Sequence, residues 1–324
     1  MSALYPFLLR PEFVERPWGA RDLSPVYPEY RCEKPVGEVW LTGDGNRVAN
    51  GPLAGRTLGE LCREYGRALV GESARETERF PLLIKFLFPR EKLSVQVHPD
   101  DEAARRAGQP CGKTECWYVL AADPGAQVAL GLKPGVTREQ LARAIREVRA
   151  EQLLNWVEVH AGEMIYVDAG TVHTIGPGSI LVETQQNSDT TYRLYDYGRP
   201  REIHVEQGLA ATKERTRAGK VHRQDAATTL VASPSFLVEK FALKETRCFE
   251  AAHSPQIFVT LEGSGVAESQ GSVPVSLARG DALVVPAAVA QVGIRAQEEF
   301  EMLRMTLPVE AMTEPGTTLG HGQI

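Results

Sequence analysis

A twelve-residue pattern occurs twice in this chain of 324 residues, and it narrows the choice of fold more than any other feature. Gly162-Glu-Met-Ile-Tyr-Val-Asp-Ala-Gly-Thr-Val-His173 aligns without gaps to Gly280-Asp-Ala-Leu-Val-Val-Pro-Ala-Ala-Val-Ala-Gln291. Each copy reads glycine, acid, apolar strand, turn and then a polar residue at the same offset. A β unit that returns far down the chain predicts two related β-rich units. The first copy ends in His173, a good metal ligand. The second ends in Gln291, and no upstream His-x-His or Gln-x-His accompanies it. The expectation is one metallated unit and one structural unit.

Composition agrees with this. The 29 Gly and 21 Pro favour many short turns, which suits strands better than a helical bundle. An apolar content of 43% at this length is enough for two domains with sizeable cores. We expect a metal-binding domain over 1–211, a basic and polar linker over 212–225, and a second β domain without metal over 226–324. The net charge of −6, with no basic stripe, argues against nucleic acid as a partner. The apolar patch at the start follows no basic region and stops short of the roughly 18 residues of a membrane span. Cys32, Cys62, Cys111, Cys116 and Cys248 are odd in number and form no CxxC pair. Scattered reduced thiols in a cytoplasmic protein is the reading they support. Cys111 and Cys116 flank Glu115, but their spacing matches no common zinc pattern.

The most informative local pattern is Ser94-Val95-Gln96-Val97-His98. Strand alternation puts Ser94, Gln96 and His98 on one face and Leu93, Val95 and Val97 on the other. A strand packed by its apolar face presents the polar three to a cavity. Glu115, Trp117 and Val119 share a face of a second strand, 115–120. With His173, the chain offers Gln96, His98, Glu115 and His173 as four ligand-type side chains.

Other strands are expected at 38–41, 81–88, 180–184 and 191–197, then at 236–243, 257–261, 265–269, 282–285 and 300–306. Capping boxes at Thr57-Leu-Gly-Glu60 and Thr137-Arg-Glu-Gln140 predict a helix over 58–70 and a helical insert over 138–154. Short helices are expected at 100–107 and 204–211. Lys85, inside an apolar run, reads equally as a snorkelling side chain or a pocket residue. Trp18, Trp40 and Trp117 read as core, Trp18 being the best exception because it follows Pro17 in a turn. Glu183 has no assigned role. His160, His204, His222, His253 and His321 have no partner spacing.

The repeated pattern resembles the Gly-x5-Pro-x4-His signature of the cupins, with Asp168 replacing proline in the first copy and Gln291 replacing histidine in the second. Within that superfamily, Leu93-Ser-Val-Gln-Val-His-Pro-Asp100, Gly112-Lys-Thr-Glu-Cys-Trp-Tyr118 and Gln186-Asn-Ser-Asp-Thr-Thr-Tyr-Arg-Leu-Tyr-Asp-Tyr197 resemble type I mannose-6-phosphate isomerases, and the length is similar to their short bacterial form. The resemblance covers most of 10–210 and continues weakly to about 308.

The resemblance implies a mainly β chain of two cupin-like, jelly-roll barrels with a small helical insert. It implies one Zn2+ per chain on Gln96, His98, Glu115 and His173, other divalent ions being acceptable to the same N/O ligands. It places Arg193 in the catalytic pocket, with Trp18, Glu38, Lys85, Ser94 and Lys113 lining it. The substrate implied is a sugar phosphate, converted between mannose 6-phosphate and fructose 6-phosphate through a cis-enediol(ate). In that chemistry Arg193 would stabilise negative charge, Ser94 and Lys113 would hold the phosphate, and the base is a metal-bound water, Glu38 or another carboxylate. A monomer or homodimer without membrane contact is expected. Two other cupin functions compete: a non-catalytic sugar-binding or regulatory protein, and an iron dioxygenase, which usually uses more histidines.

Overall fold

Short apolar runs separated by glycine and proline turns pair into four antiparallel sheets, of seven, five, six and four strands. The architecture is that of a computed structural model, which describes residues 3–222 and 228–309; His321 and residues 223–225 of the expected linker lie outside them. The seven-stranded sheet runs in the order Gly219–Lys220, Met164–Val167, Glu115–Ala122, Ser179–Gln186, Leu82–Leu87, Val36–Trp40, Glu12–Ala20. The five-stranded sheet holds Tyr192–Tyr195, Val95–Val97, His173–Ile175, Gln127–Leu132 and Leu154–Glu158 in that order.

The sheets stack in layers, because each strand has two faces to bury. Trp117, Val119, Ile165 and Leu181 of the seven-stranded sheet meet Val128, Leu130 and Ile175 of the five-stranded sheet in one core. The opposite face of the seven-stranded sheet, including Ile84, Phe86, Tyr118 and Val182, packs on Ile257, Val259, Val284 and Met305 of the six-stranded sheet. That sheet then faces the four-stranded one across a third core of Phe241, Phe249, Phe258, Val292, Ile294 and Phe300. The larger sheets are therefore back to back, and each carries a smaller sheet on its outer side.

The division in sequence and the division in space differ at two points. Phe7–Leu9, at the start of the chain, pairs with Ala282–Val285 in the six-stranded sheet. Gly219–Lys220, inside the expected linker, pairs with Met164–Val167 in the seven-stranded sheet.

Both capping boxes form. Thr57 and Glu60 cap Leu58–Tyr65, and Thr137 and Gln140 cap Arg138–Arg146. The continuous helix expected over 58–70 is interrupted: Gly66 adopts φ +49°, and a separate short helix, Arg67–Val70, follows. Only glycine takes such a conformation cheaply, so the break is written in the sequence. The insert, Arg138–Arg146 with the 3-10 turn Ala150–Leu153, covers the outer face of the five-stranded sheet through Leu141 and Ala150, against Val95 and Val97. All five cysteines are free thiols. Among the described residues no helix is long and apolar enough to cross a membrane.

Candidate active site and metal centre

The alternation over 94–98 does what its pattern predicts. Val95 and Val97 are fully buried in the core beneath the helical insert, which turns the intervening side chains toward the seven-stranded sheet. Antiparallel register then assembles the neighbours: His173 pairs with Gln96 on one side and Arg193 pairs with Gln96 on the other. Glu115 arrives from the facing sheet. His98, Glu115 and His173 are all buried, and one ligand atom from each lies within 4.8 Å of the others.

The two imidazoles are fixed in one tautomer by their surroundings. His98 Nδ1 donates to the Thr190 carbonyl and His173 Nδ1 donates to the Thr171 carbonyl, both at 2.9 Å. A carbonyl only accepts, so both protons sit on Nδ1 and both Nε2 atoms present lone pairs as acceptors. They converge on the carboxylate: His98 Nε2 is 3.6 Å from Glu115 Oε2, and His173 Nε2 is 3.3 Å from Glu115 Oε1. Burial, aided by the Lys113 charge, pushes His98 well below its ordinary value and holds His173 at about 4, so both rings are neutral at pH 7. Burial and the Glu183 charge push Glu115 upward against the opposing pull of Lys113.

This donor set fits a divalent cation. Glu115 Oε1 is buried with no hydrogen-bond partner, a costly condition for a carboxylate unless an ion completes it. The Lys113 ammonium already lies against two of the three ligand groups, in contact with Glu115 and 3.1 Å from His98 Nε2. Gln96 Nε2 lies 3.3 Å from His173 Nε2, and Gln96 Oε1 accepts from Ser94 Oγ at 3.2 Å. Exchanging the amide oxygen and nitrogen, which are assigned from their bonding partners, turns Oε1 toward the cluster and lets Nε2 donate to Ser94.

Above the cluster opens a cavity of about 420 Å³ lined by Trp18, Glu38, Lys85, Ser94, Gln96, Lys113, Glu115 and Arg193 among others. Eight of the ten residues expected at the site thus line one space, and the other two, His98 and His173, are buried beside Glu115. The seven-stranded wall carries charges of alternating sign. Arg16 forms a two-pronged pair with Glu38 at 3.0 and 3.2 Å. Glu38 lies 3.6 Å from Lys85, and Lys85 lies 3.0 Å from Glu183. Glu183 is 3.6 Å from Lys113, which contacts Glu115. Burial alone would discharge these groups, but the neighbours prevail: Lys85 is raised by Glu183 and Glu38, Glu38 is lowered by Lys85 and Arg16, and Glu183 is lowered by Lys113 and Lys85. Lys85 is therefore a pocket residue and does not snorkel to the surface.

Sequence reasoning missed Glu183 and Arg16. Glu183 is 4% exposed, accepts from Trp117 Nε1 and is the cross-strand partner of Lys85. The signal was a carboxylate directly after the apolar run Ile180-Leu181-Val182, matched by the lysine within the apolar strand Leu82–Leu87. Trp40, expected in the core, lines the cavity and donates through Nε1 to Glu38 at 2.7 Å, because it pairs in register with Lys85. A larger groove of about 1250 Å³ lies between the chain start and the four-stranded sheet. It lies away from the His–Glu–His cluster.

Sheets and cluster define a β protein equipped to hold a metal ion beneath a polar cavity. Residues 7–126 match the family described as phosphomannose isomerase type I, catalytic domain. The mannose-6-phosphate isomerase ManA of Bacillus subtilis strain 168 is 36% identical over 301 residues, covering 87% of this chain and 93% of that one. The crystal structure of the Bacillus subtilis mannose 6-phosphate isomerase superposes with a TM-score of 0.82 at 31% identity, covering 93% and 99%. A zinc-bound mannose 6-phosphate isomerase structure shares the fold at 17% identity and a TM-score of 0.77, covering 94% and 100%. The chain belongs to the type I mannose-6-phosphate isomerase family.

Proposed function

We propose that this chain interconverts mannose 6-phosphate and fructose 6-phosphate, using one divalent ion, zinc before others, held by His98, Glu115 and His173 with Gln96 as a neutral fourth ligand. The observation that carries this is the buried, convergent His–Glu–His cluster at the foot of a charged cavity, in a chain of this family. The ion would supply Lewis-acid polarisation of the sugar carbonyl. In the direction of fructose 6-phosphate the reaction moves the C2-bound proton to C1 and the O2–H proton to O1, both in the same sense, so atoms and charge balance through a cis-enediolate; the reverse direction returns both. Lys113, in contact with Glu115, is placed to hold or move a proton at a sugar oxygen. Arg193, which pairs with Gln96 in register, stays charged and stabilises the enediolate oxygen. Glu38 and Lys85 fix the charged wall against which the sugar binds, with Trp18 packing behind it, and Ser94 orients the Gln96 amide. The carbon-bound proton would pass to a cavity carboxylate such as Glu38 or to a water.

The same reading takes each pair of facing sheets as a cupin-like barrel. The first spans 1–211 and holds the metal; the second spans 226–324, holds none and borrows Phe7–Leu9 from the chain start. Five free thiols favour a cytoplasmic setting, and the protein acts as a monomer or homodimer.

The test is conversion of mannose 6-phosphate to fructose 6-phosphate by purified protein as isolated, after chelation, and after return of zinc, manganese, cobalt or iron. Activity lost on chelation and restored by zinc is the expected result. A folded, metal-loaded protein without turnover would refute the assigned substrate.

A further inference from the structure

Lys113 lies just outside the sheets, in the irregular stretch 111–114 between the short helix Asp101–Arg106 and the strand Glu115–Ala122. Its ammonium nevertheless reaches one spot in the charged wall, against Glu115 and 3.1 Å from His98 Nε2. Three successive backbone amides account for this. The Gly112 amide donates to Asp101 Oδ1 at 2.9 Å, the Lys113 amide to the Pro99 carbonyl at 3.0 Å, and the Thr114 amide to Gln186 Oε1 at 2.9 Å. The Gln186 side chain closes the set, since its Nε2 donates to the same Asp101 Oδ1 at 2.9 Å. Asp101 is available for this because its neighbour Asp100 caps the helix, through the Ala103 amide. The second oxygen of Asp101, Oδ2, turns outward to Arg75, which is exposed. The fit is close: a Cβ on Gly112 would come within 2.6 Å of the Asp101 backbone nitrogen.

We infer that Asp101 and Gln186 form a positioning pair for the isomerisation, holding the 112–114 backbone so that the Lys113 ammonium meets the reacting sugar. This rests on the isomerase reading and adds two residues to it, neither of which lines the cavity. A lysine stem is flexible, so its ammonium is placed only as well as the backbone at its root. Proton transfer needs that ammonium within hydrogen-bond reach of a sugar oxygen, and a shift of about 1 Å can cost on the order of 100-fold in rate. Removing the Asp101 carboxylate takes the acceptor from the Gly112 amide, which is buried, and from the Gln186 amide group, which is 9% exposed. Such groups move until they find new partners, and Lys113 moves with them. The competing reading is an ordinary surface ion pair between Asp101 and Arg75. The two oxygens separate these readings, because Oδ1 makes both inward bonds and Oδ2 the outward one.

The test compares wild type with Asp101→Ala, Asp101→Asn, Gln186→Ala and Arg75→Ala, and adds Asp101→Ala to a Lys113→Ala background. Melting curves and metal content are measured for each. With mannose 6-phosphate, Asp101→Ala should lower kcat on the order of 10- to 100-fold and leave KM nearly unchanged. Gln186→Ala should act in the same sense and carries the comparison if Asp101→Ala does not fold. Asp101→Asn keeps an oxygen for Gly112 and Gln186 and should retain most of kcat, and Arg75→Ala should match wild type. In Lys113→Ala, the Asp101→Ala change should lower kcat no further, because the pair acts through that side chain. Amide hydrogen exchange over 111–116 should quicken in Asp101→Ala and stay slow in Asp101→Asn, a readout that needs no turnover. Wild-type kcat in Asp101→Ala, a full further loss in the Lys113→Ala background, or loss of bound metal would overturn the assignment. Unchanged exchange in Asp101→Ala would remove the pair whatever the activity. A wild type that fails to turn over mannose 6-phosphate would instead remove the isomerase reading, and this role with it.

Discussion

The two pairs of facing sheets share an architecture and differ in what fills the space between them. Between the six- and four-stranded sheets the filling is hydrocarbon: Phe241, Phe249 and Phe258 meet edge to face at 4.9–5.2 Å, with Phe300, Met302 and Ile294 around them. Between the seven- and five-stranded sheets, part of the same space is a cavity walled by Lys85, Glu183, Lys113 and Glu115. Buried hydrocarbon stabilises whatever surrounds it. Buried ions cost several kcal/mol each and break about even only when every partner is in place. The rear pair can therefore hold the chain together, which frees the front pair to keep an arrangement that suits a metal and a phosphorylated sugar. The repeated motif marks the divergence. His173 is 1% exposed inside the front pair, whereas Gln291 lies on the surface, bonded to Glu250 at 2.6 Å.

The largest break in this comparison should come from Glu115. Glu115→Ala removes one proposed ligand and leaves Lys113 without its nearest counter-charge, so turnover should fall on the order of 10³-fold. Metal content, measured by elemental analysis of the purified protein, should fall with it. Full metal content and wild-type turnover would show that the cluster is not the catalytic centre.

Next come the two fillings themselves. Glu183→Gln takes the closer carboxylate from Lys85 and one of two from Lys113 in the buried wall and should cost about 3 kcal/mol of stability, together with most of the activity. Phe258→Ala in the rear core should cost a similar 3–5 kcal/mol or so, but leave kcat and KM for mannose 6-phosphate unchanged at temperatures where the protein stays folded. Urea denaturation beside steady-state kinetics separates these outcomes. Equal loss of activity in both would mean that the rear pair shapes the site directly.

How much of this was legible in the sequence follows from how far each signal reaches. The capping boxes at Thr57 and Thr137 and the alternation at 94–98 act within a few residues, and all three form as expected. The ligand-type residues were legible because their family spacing survives intact. Glu183 was not, because its meaning depends on Lys85 nearly a hundred positions away, joined to it only by strand register. Gln127–Leu132 and Leu154–Glu158 were overlooked for a related reason: they flank the helical insert expected over 138–154, the second beginning where it ends, and pairing with each other and, for the first, with the His173 strand decides their state. The crossover of Phe7–Leu9 into the rear sheet carries no local mark at all.

Acid titration sharpens the contrast through opposite signs. Glu38 in the front wall is held below its ordinary value by Lys85 and Arg16, which outweigh its burial. Its contribution to stability is therefore fully present above the unfolded value near 4.5 and is lost as pH falls through the lower folded value. Asp281 in the rear sheets is raised by burial; its contribution is present at low pH and is lost as pH rises through the folded value. Glu38→Gln should flatten the acid limb of the stability curve between pH 5 and pH 3, roughly the carboxylate range. Asp281→Asn, which keeps the acceptor for the Ala278 amide, should raise stability at neutral pH relative to acid. Urea midpoints measured across that range decide it, and parallel curves for the two variants would remove the contrast.

The smallest effect is expected where the repeat has lost its ligand. Gln291 begins an inner strand of the four-stranded sheet but faces solvent, so Gln291→Ala should change stability by no more than about 0.5 kcal/mol and leave turnover alone. Gln291→His restores the residue that the front copy uses, yet the carboxylate it would meet, Glu250, lies with it on the surface. The space His173 shares with His98 and Glu115 is, in the rear, occupied by phenylalanine rings, and no carboxylate from the facing sheet reaches inward among the described residues. Metal content should therefore stay at one ion per chain in Gln291→His. A second equivalent of bound zinc would mean that the motif alone can build a site, and that the charged wall of the front pair serves the substrate and not the metal.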